Sequence, residues 1–357
     1  MKGDCMGRLA KLREHMSERK IDGMLVLQPE NRRYLSGFSG SSAALLLTLA
    51  EAYLFTDFRY VEQATSQASD FTVIKHAPQM WDTVTEYVAK IPRLGFEPDF
   101  VTYEQYQLLY NKFKSTSLVP MGNAIEDLRR VKDEAELTKL QQAADLADEA
   151  FHHILTYIMP GMTERQIALE LEFFMRREGA SGASFDFIVA SGPRSSLPHG
   201  VASERLVSNG EFITMDFGCI VDGYCSDITR TVILGEPSEQ QREIYNLVLK
   251  AQLAALAGIK PGVTGMAVDS IARDIITAGG YADNFGHGLG HGVGLAIHEA
   301  PRLNPSGDTL LQAGMVVTDE PGIYLPSWGG VRIEDTVVVT STGCRALTKS
   351  PKELIIL

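Results

Sequence analysis

Two stretches about a hundred residues apart say nearly the same thing, and that repetition limits the possible folds more than any other feature of the chain. PGMTERQIALEL at 160–171 matches PGVTGMAVDSIA at 261–272, an offset of 101. Each copy follows a long helical pattern and opens another helix, with Thr163 and Thr264 placed as N-caps. Farther on, GEFITMDFG at 210–218 aligns with GMVVTDEPG at 314–322, an offset of 104 that sets Asp216 over Glu320. His199 and His298 fall in corresponding stretches at an offset of 99. Three matches in chain order predict a duplicated α/β half whose two copies form one saddle, with acidic residues meeting at its middle. The alternative is a pair of unrelated helix–strand units that share common turn residues.

The repeat does not reach the N-terminal third. A chain of 357 residues suits two domains. The first part alternates short patterns: residues 6–20 read as a helix and GMLVLQ as a buried strand. ALLLTL and AYLFTD read as adjacent strands, and 80–90 and 102–114 as helices. After Pro120, Gly122 and Asn123 a long amphipathic helix begins near Lys132. Its apolar face runs through Leu137, Leu140, Ala144, Ala147, Phe151, Ile154 and Ile158, and Pro160-Gly161 stops it. The expected organisation is α/β throughout, with an N-terminal α/β domain over 1–127 and a second domain over 128–357.

Thirty-three basic against forty-five acidic residues give a net charge of −12. That balance argues against binding a nucleic-acid backbone, which needs clustered Lys and Arg. No apolar run approaches the ~20 residues of a membrane span, and the charged N-terminus lacks a signal-peptide core. Four scattered cysteines with no CxxC read as free thiols. A cytoplasmic protein with no membrane and no nucleic-acid partner is expected.

The chemistry sits in three segments of the second part. In EFITMDFGCIVDGYCSDITRTVIL, Asp222-Gly223 is a hairpin turn. With those two at the tip, 221 opposes 224 and Asp216 opposes Thr229, so Asp227 lies within diagonal reach of Asp216. Two carboxylates on one face repel unless a cation lies between them; the bland alternative leaves one Asp at a solvated turn or edge. By the same alternation Cys219 and Cys225 point to the other face and read as core. In MVVTDEPGIYLPSWGGVRIEDTVVVT, a turn centred near Ser327 sets Glu320 roughly opposite Glu334, a second carboxylate pair. NFGHGLGHGVGLAIHEAP carries five glycines in 286–294, a backbone suited to close approach, together with His287, His291 and His298. A histidine in such a loop is often structural or solvated, but here four carboxylates lack a nitrogen ligand. No GxGxxG occurs in this run and no GxSxG elbow anywhere in the chain. Two Asp, two Glu and one His suit divalent ions such as Mn²⁺, Co²⁺ or Zn²⁺, and five ligands are enough for two ions sharing bridging carboxylates.

Asp216, Asp227, His291, Glu320 and Glu334, set in MDFG, YCSDITRT, GHGLGHGVGLAIHE, DEPGIY and GVRIED, resemble in order and context the pita-bread metallopeptidase family over about 127–350. The resemblance implies a pseudo-symmetric pita-bread catalytic domain, here behind a creatinase-like N-terminal α/β domain. The implied activity is that of an Xaa-Pro exopeptidase acting on proline-containing peptides, with two divalent ions, Mn first among the candidates. Methionine aminopeptidases generally lack the extra domain, and creatinases lack the full ligand set. YLSGFSGSSAALLLT followed by LFTDFRY is similar to proline-specific members, and aminopeptidase P is placed ahead of prolidase, the Xaa-Pro dipeptidase. A catalytically silent binding protein on the same fold is the remote alternative.

By resemblance, Asp216 chelates one ion, His291 and Glu320 the other, and Asp227 and Glu334 bridge both. A hydroxide between the ions attacks the carbonyl preceding proline, and Glu320 carries the proton to the proline nitrogen. His199 and His298 match positions that contact that carbonyl. His287 and Arg332 match substrate-side positions, Arg332 as a carboxylate clamp or as a salt bridge to a ligand carboxylate or to Asp335. Tyr324 and Trp328 are candidates for packing on the proline ring. A homodimer is implied. One departure from the family pattern is Asp319, where a small apolar residue usually precedes the glutamate; it is expected to add a charge beside the site.

Overall fold

The architecture follows from where the apolar faces can be buried. In a computed structural model that describes residues 5–357, the chain divides into one compact unit ending at Arg129 and another beginning at Arg130.

The first unit is built on a six-stranded sheet of β1 (Gly23–Val26), β2 (Ala44–Thr48), β3 (Ala52–Thr56), β4 (Thr72–Lys75), β5 (Arg93–Phe96) and β6 (Ser117–Pro120). The strand order is β4-β3-β2-β1-β5-β6. Central β1 is buried at all four positions, as expected for a strand covered on both faces. The neighbours ALLLT and AYLFT pair antiparallel, while β3–β4, β1–β5 and β5–β6 are parallel. Among the described residues six helices accompany the sheet: α1 (Cys5–Glu18), α2 (Pro29–Ser36), α3 (Val61–Gln67), α4 (Met80–Val88), α5 (Tyr103–Lys112) and α6 (Glu126–Arg129). Thus the helices and strands expected here all form, and α2, α3, β4, β5, β6 and α6 are added to them. These extra elements have only four to eight residues, too few for a periodic pattern to stand out.

The second unit begins with α7 (Glu134–Leu155), capped by Asp133, whose side chain accepts from Glu136 N. Its buried stripe includes Leu140, Ala144, Ala147, Phe151 and Ile154, the face read from the sequence. Thr163 caps α8 (Glu164–Arg177) by accepting from Gln166 N, and Thr264 caps α10 (Gly265–Ala278) by accepting from Ala267 N. Between them lies α9 (Glu239–Gly258).

The repetition in the sequence is a repetition of hydrogen bonds. Gly161 and Gly262 both adopt positive φ, 86° and 83°, conformations that glycine takes without a Cβ clash. Their amides donate to Val207 O and Leu311 O, each at 2.9 Å. Thr163 bridges Leu206, and Thr264 bridges Leu310. Each helix pair covers its own core: α7 and α8 pack on Val189, Ile213, Met215 and Ile228, and α9 and α10 on Val317, Ile323, Val331 and Val337.

The strands of this unit are β7 (Gly182–Ala183), β8 (Ile188–Ser191), β9 (Glu211–Phe217), β10 (Cys219–Val221), β11 (Tyr224–Cys225) and β12 (Ile228–Leu234) in the first half. The second half holds β13 (Gly290–Gly292), β14 (Glu299–Leu303), β15 (Val316–Asp319), β16 (Gly322–Leu325), β17 (Gly329–Arg332), β18 (Asp335–Val339) and β19 (Cys344–Ala346). They form sheets ordered β12-β9-β8, β11-β10-β7, β14-β13-β15-β18-β19 and β16-β17. No helix among the described residues is long and apolar enough to cross a membrane.

Gly218 lets the first hairpin close. A Cβ there would stand 1.9 Å from the carbonyl oxygen of Ser226 and 2.5 Å from Ser184 Oγ. The nearer obstacle is backbone and cannot rotate aside. Gly218→Ala is therefore expected to lower stability by about 1–3 kcal/mol and to weaken divalent-metal binding with it, because Asp216 and Asp227 flank the bend. Thermal melting and metal titration of the variant check this; a wild-type melting temperature would contradict it.

Candidate metal centre

Two hairpin registers assemble the site. In the first, Val221 pairs with Tyr224 and Asp216 with Thr229, the register set by the Asp222-Gly223 tip. In the second, Leu325 pairs with Gly329 and Gly322 with Arg332, and beyond them Asp319 with Asp335. The turn centres on Ser327, which takes φ 65°, so Glu320 and Glu334 follow each other across the gap between the two ladders. The amide of Glu334 donates to Thr229 O at 3.0 Å, joining the hairpins. Asp216, Asp227 and Glu334 offer carboxylate oxygens that all lie within 4.8 Å of one another.

His291 enters from β13. The glycines around it give the strand room: a Cβ at Gly290 would stand 2.2 Å from Thr318 O. The close approach read from the glycine run is therefore one of neighbouring strands. His291 Nε2 lies 3.6 Å from Asp227 Oδ2 and 3.4 Å from Glu320 Oε1. Its Nδ1 is 3.1 Å from Gly292 O. A proton on Nδ1 satisfies that carbonyl and leaves the Nε2 lone pair facing the carboxylates, the tautomer a metal ligand needs.

A cavity of about 450 Å³ opens onto this cluster. His199, His287, His298, Arg332 and all five expected ligands line it, together with Phe185, Asp186, Ile188, Val201, Ile297, Arg302 and Asn304.

The electrostatics are those of acids packed close together out of water. Burial raises the carboxyls of Asp227 and Glu334 well above their ordinary values, and repulsion between neighbouring acids adds to it. Burial likewise lifts Glu320 to about 7, with Arg332 opposing and Asp216 reinforcing the shift. Asp216 is raised by burial against the pull of Arg332, and its buried Oδ1 has no hydrogen-bond partner. Burial lowers His291 to about 3, which keeps the imidazole neutral. Neutral imidazole, four clustered carboxylates and an orphaned carboxylate oxygen fit divalent cations.

A ring of hydroxyls orients the acids. Thr229 Oγ1 donates to Glu334 Oε2 at 2.6 Å, and Thr318 Oγ1 donates to Glu320 Oε1 at 3.0 Å. Sequence patterning did not single out these threonines; their signal was the register, which places Thr229 opposite Asp216.

Five expectations need correction. Arg332 is not free to clamp a substrate: Nη2 donates to Asp216 Oδ2 at 2.6 Å, Nη1 to Tyr324 Oη at 2.9 Å and Nε to Thr229 Oγ1 at 3.1 Å. The salt bridge to a ligand carboxylate, the other reading of Arg332, is the one the structure contains. Tyr324 does not line the cavity; its hydroxyl joins Arg332 to His287 Nε2 at 2.8 Å. With Nδ1 bonded to Gly288 O at 2.7 Å, His287 has no ring nitrogen left for substrate, and burial lowers it to about 4. Trp328 packs edge-on against core Phe212, its ring 5.9 Å away.

The fifth correction concerns Asp319. It is absent from the cavity lining and wholly buried. Neither of its oxygens has a hydrogen-bond partner. Burial, then repulsion from Asp335, raise its carboxyl well above the ordinary value, so what it adds is a buried polar group outside the cavity rather than a charge facing the ligands. Cys219 and Cys225 do face away as expected, their thiols against Ala143 O and Leu295 O. Sequence reasoning missed Arg302, which pairs across β13–β14 with His291. The bulge between His291 and Gly292 hides that register from simple alternation.

The family of the chain is plain from comparison. Residues 138–341 match the model of metallopeptidase family M24, and 8–131 match the creatinase/prolidase N-terminal domain. An Xaa-Pro dipeptidase of Pyrococcus furiosus is 41% identical, over 98% of this chain and 99% of that protein. The structure of an Xaa-Pro dipeptidase from Bacillus anthracis superposes with a TM-score of 0.97 at 49% identity, covering 99% of this chain and 100% of that one. An X-Pro aminopeptidase structure from Thermotoga maritima gives 0.90 at 40% identity, over 96% and 99%.

Two variants test the roles of Asp227 and Asp319. Asp227→Asn, which changes a central oxygen ligand to an amide, is expected to abolish stoichiometric divalent-metal binding while leaving a cooperative thermal transition. Unchanged metal content would remove Asp227 from the ligand set. Asp319→Val is expected to raise stability by about 1–3 kcal/mol by deleting a buried unsatisfied group. The gain should grow as pH rises from about 4, because the unfolded carboxyl gives up a proton that the folded one keeps. Denaturant melts at two pH values check both the sign and the trend.

Proposed function

The chain belongs to metallopeptidase family M24, and from that premise we propose that it is a dinuclear-metal Xaa-Pro dipeptidase. The observation that carries this reading is Arg302. It lines the cavity, exposed, opposite His291, and its guanidinium makes no ion pair within 4 Å with the described residues. A dipeptide presents a free carboxylate just beyond proline, and a guanidinium with its donor fork open suits it. The sequence placed aminopeptidase P first; the relatives named Xaa-Pro dipeptidase, together with Arg302, support the opposite order. The Thermotoga likeness keeps the aminopeptidase as the second reading.

The residues that would hold the ions are Asp216, Asp227, His291, Glu320 and Glu334. Manganese is the favoured metal, because four of the five ligands are carboxylates. When bound, divalent ions supply a nucleophilic water near neutral pH and polarise the scissile carbonyl. Arg332 anchors Asp216, and Tyr324 in turn anchors Arg332, so the ligand wall holds its shape when substrate enters. Glu320 Oε takes up a proton during attack and returns it to the proline nitrogen. That nitrogen carries no proton of its own in the peptide bond. His199 and His298, exposed on the cavity wall, are placed to donate to the carbonyl oxygen as charge develops there.

Paired hydrolysis of Leu-Pro and Leu-Pro-Ala by manganese-loaded protein, each with a chelator control, tests the reading. The dipeptide is expected to be the better substrate. Arg302→Ala should raise its KM by about tenfold or more, the loss of a charged hydrogen bond. Faster cleavage of the tripeptide would establish the aminopeptidase instead.

A further inference from the structure

Arg302 is matched by one charge of the opposite sign. Asp186 lines the same cavity and is exposed, and its carboxylate makes no ion pair or side-chain hydrogen bond with the described residues. Every other carboxylate on the cavity wall belongs to the ligand cluster. Asp186 does not.

Its position follows from β8. Ile188 pairs directly with Asp216, so it stands in the row of the ligands. Asp186 lies two residues earlier, about 6–7 Å along extended chain. Phe187, between them, turns inward and packs on Phe217 with ring centroids 6.1 Å apart. That alternation gives Asp186 and Ile188 the cavity face. Phe185, Ile188, Val201 and Ile297 supply apolar wall around them.

The distance separates two cationic groups of a substrate. The α-ammonium of the residue before proline sits about 2.5 Å from the carbonyl carbon, so it stays in the ligand row with Asp216. A lysine ammonium extends about 6 Å from Cα on an apolar four-carbon stem, and arginine reaches farther. Such a stem matches the apolar wall, and its charge arrives at the rim where Asp186 lies. A leucine or methionine would cover the same wall and leave Asp186 to water.

We propose that Asp186 makes this site favour lysine or arginine before proline. The proposal rests on the Xaa-Pro reading above. The same carboxylate would disfavour an acidic residue at that position, since like charges across a short gap repel.

The test compares Lys-Pro, Leu-Pro and Glu-Pro, each also as the Xaa-Pro-Ala tripeptide, with manganese-loaded wild type, Asp186→Asn and Asp186→Lys. The readout is the ratio of kcat/KM values within each protein, which does not depend on the fraction of active enzyme. Wild type is expected to favour Lys-Pro over Leu-Pro by about fivefold, the upper end for an exposed pair. The ratio should shrink with added salt. Asp186→Asn should bring it near one, and Asp186→Lys should favour Glu-Pro. A wild-type ratio at or below one would overturn the proposal. So would an equal fall for every dipeptide in Asp186→Asn, which would assign Asp186 to the α-ammonium. Cleavage of the tripeptides alone would sink the dipeptidase reading while leaving Asp186 to be judged on the tripeptide ratio. No cleavage in either frame would overturn both.

Discussion

Four carboxylates pressed into one buried wall are the constraint around which the rest of the second unit is arranged. Two hairpins, with tips at Asp222-Gly223 and Ser327, each deliver a pair, and the Glu334 amide bonded to Thr229 O locks the two together. Burial and mutual repulsion push these carboxyls toward the protonated form, a cost that folding tolerates where a cation offsets it. His291, the imidazole proposed to join them as a ligand, is kept neutral by burial with its Nε2 turned toward the carboxylates. Arg332 supplies a protein cation bonded to the carboxylate cluster through Asp216, and Tyr324 fixes it there.

Duplication explains how one chain builds such a wall. Each half presents a helix pair over a sheet, entered through a positive-φ glycine and a threonine cap. The two copies bring Asp216 near the end of β9 and Glu320 just past β15 to the same cavity. The chain has diverged where chemistry differs: β13 with its glycines and His291 has no counterpart of the same character in the first half.

The parts of this arrangement that were legible in the sequence are those set by short-range rules. An Asp-Gly tip and strand alternation set Asp216 opposite Thr229, while the turn near Ser327 set Glu320 only roughly across from Glu334. Repeated Pro-Gly-x-Thr segments marked the caps of α8 and α10. Side-chain direction at residues with more than one possible partner was not legible. Arg332 could have faced substrate or a ligand, and only the packing of Tyr324 and Thr229 around its guanidinium decides. Asp319 looked like an added charge beside the site because it precedes Glu320, yet alternation turns its carboxyl to the opposite face, into the core. Arg302 and Asp186 escaped notice for another reason. For Arg302 the bulge between His291 and Gly292 breaks the periodicity, and Asp186 precedes β8, outside any strand that the sequence pattern marked.

Membership of family M24 and the divalent metal chemistry it carries fit this electrostatic picture without further assumption. The central claim is that the carboxylate wall exists to hold two divalent ions. Its most direct test is a manganese titration of chelator-stripped protein, followed by elemental analysis after gel filtration. Two ions retained per chain is the predicted result. Failure to retain stoichiometric metal, with the protein folded, would contradict it.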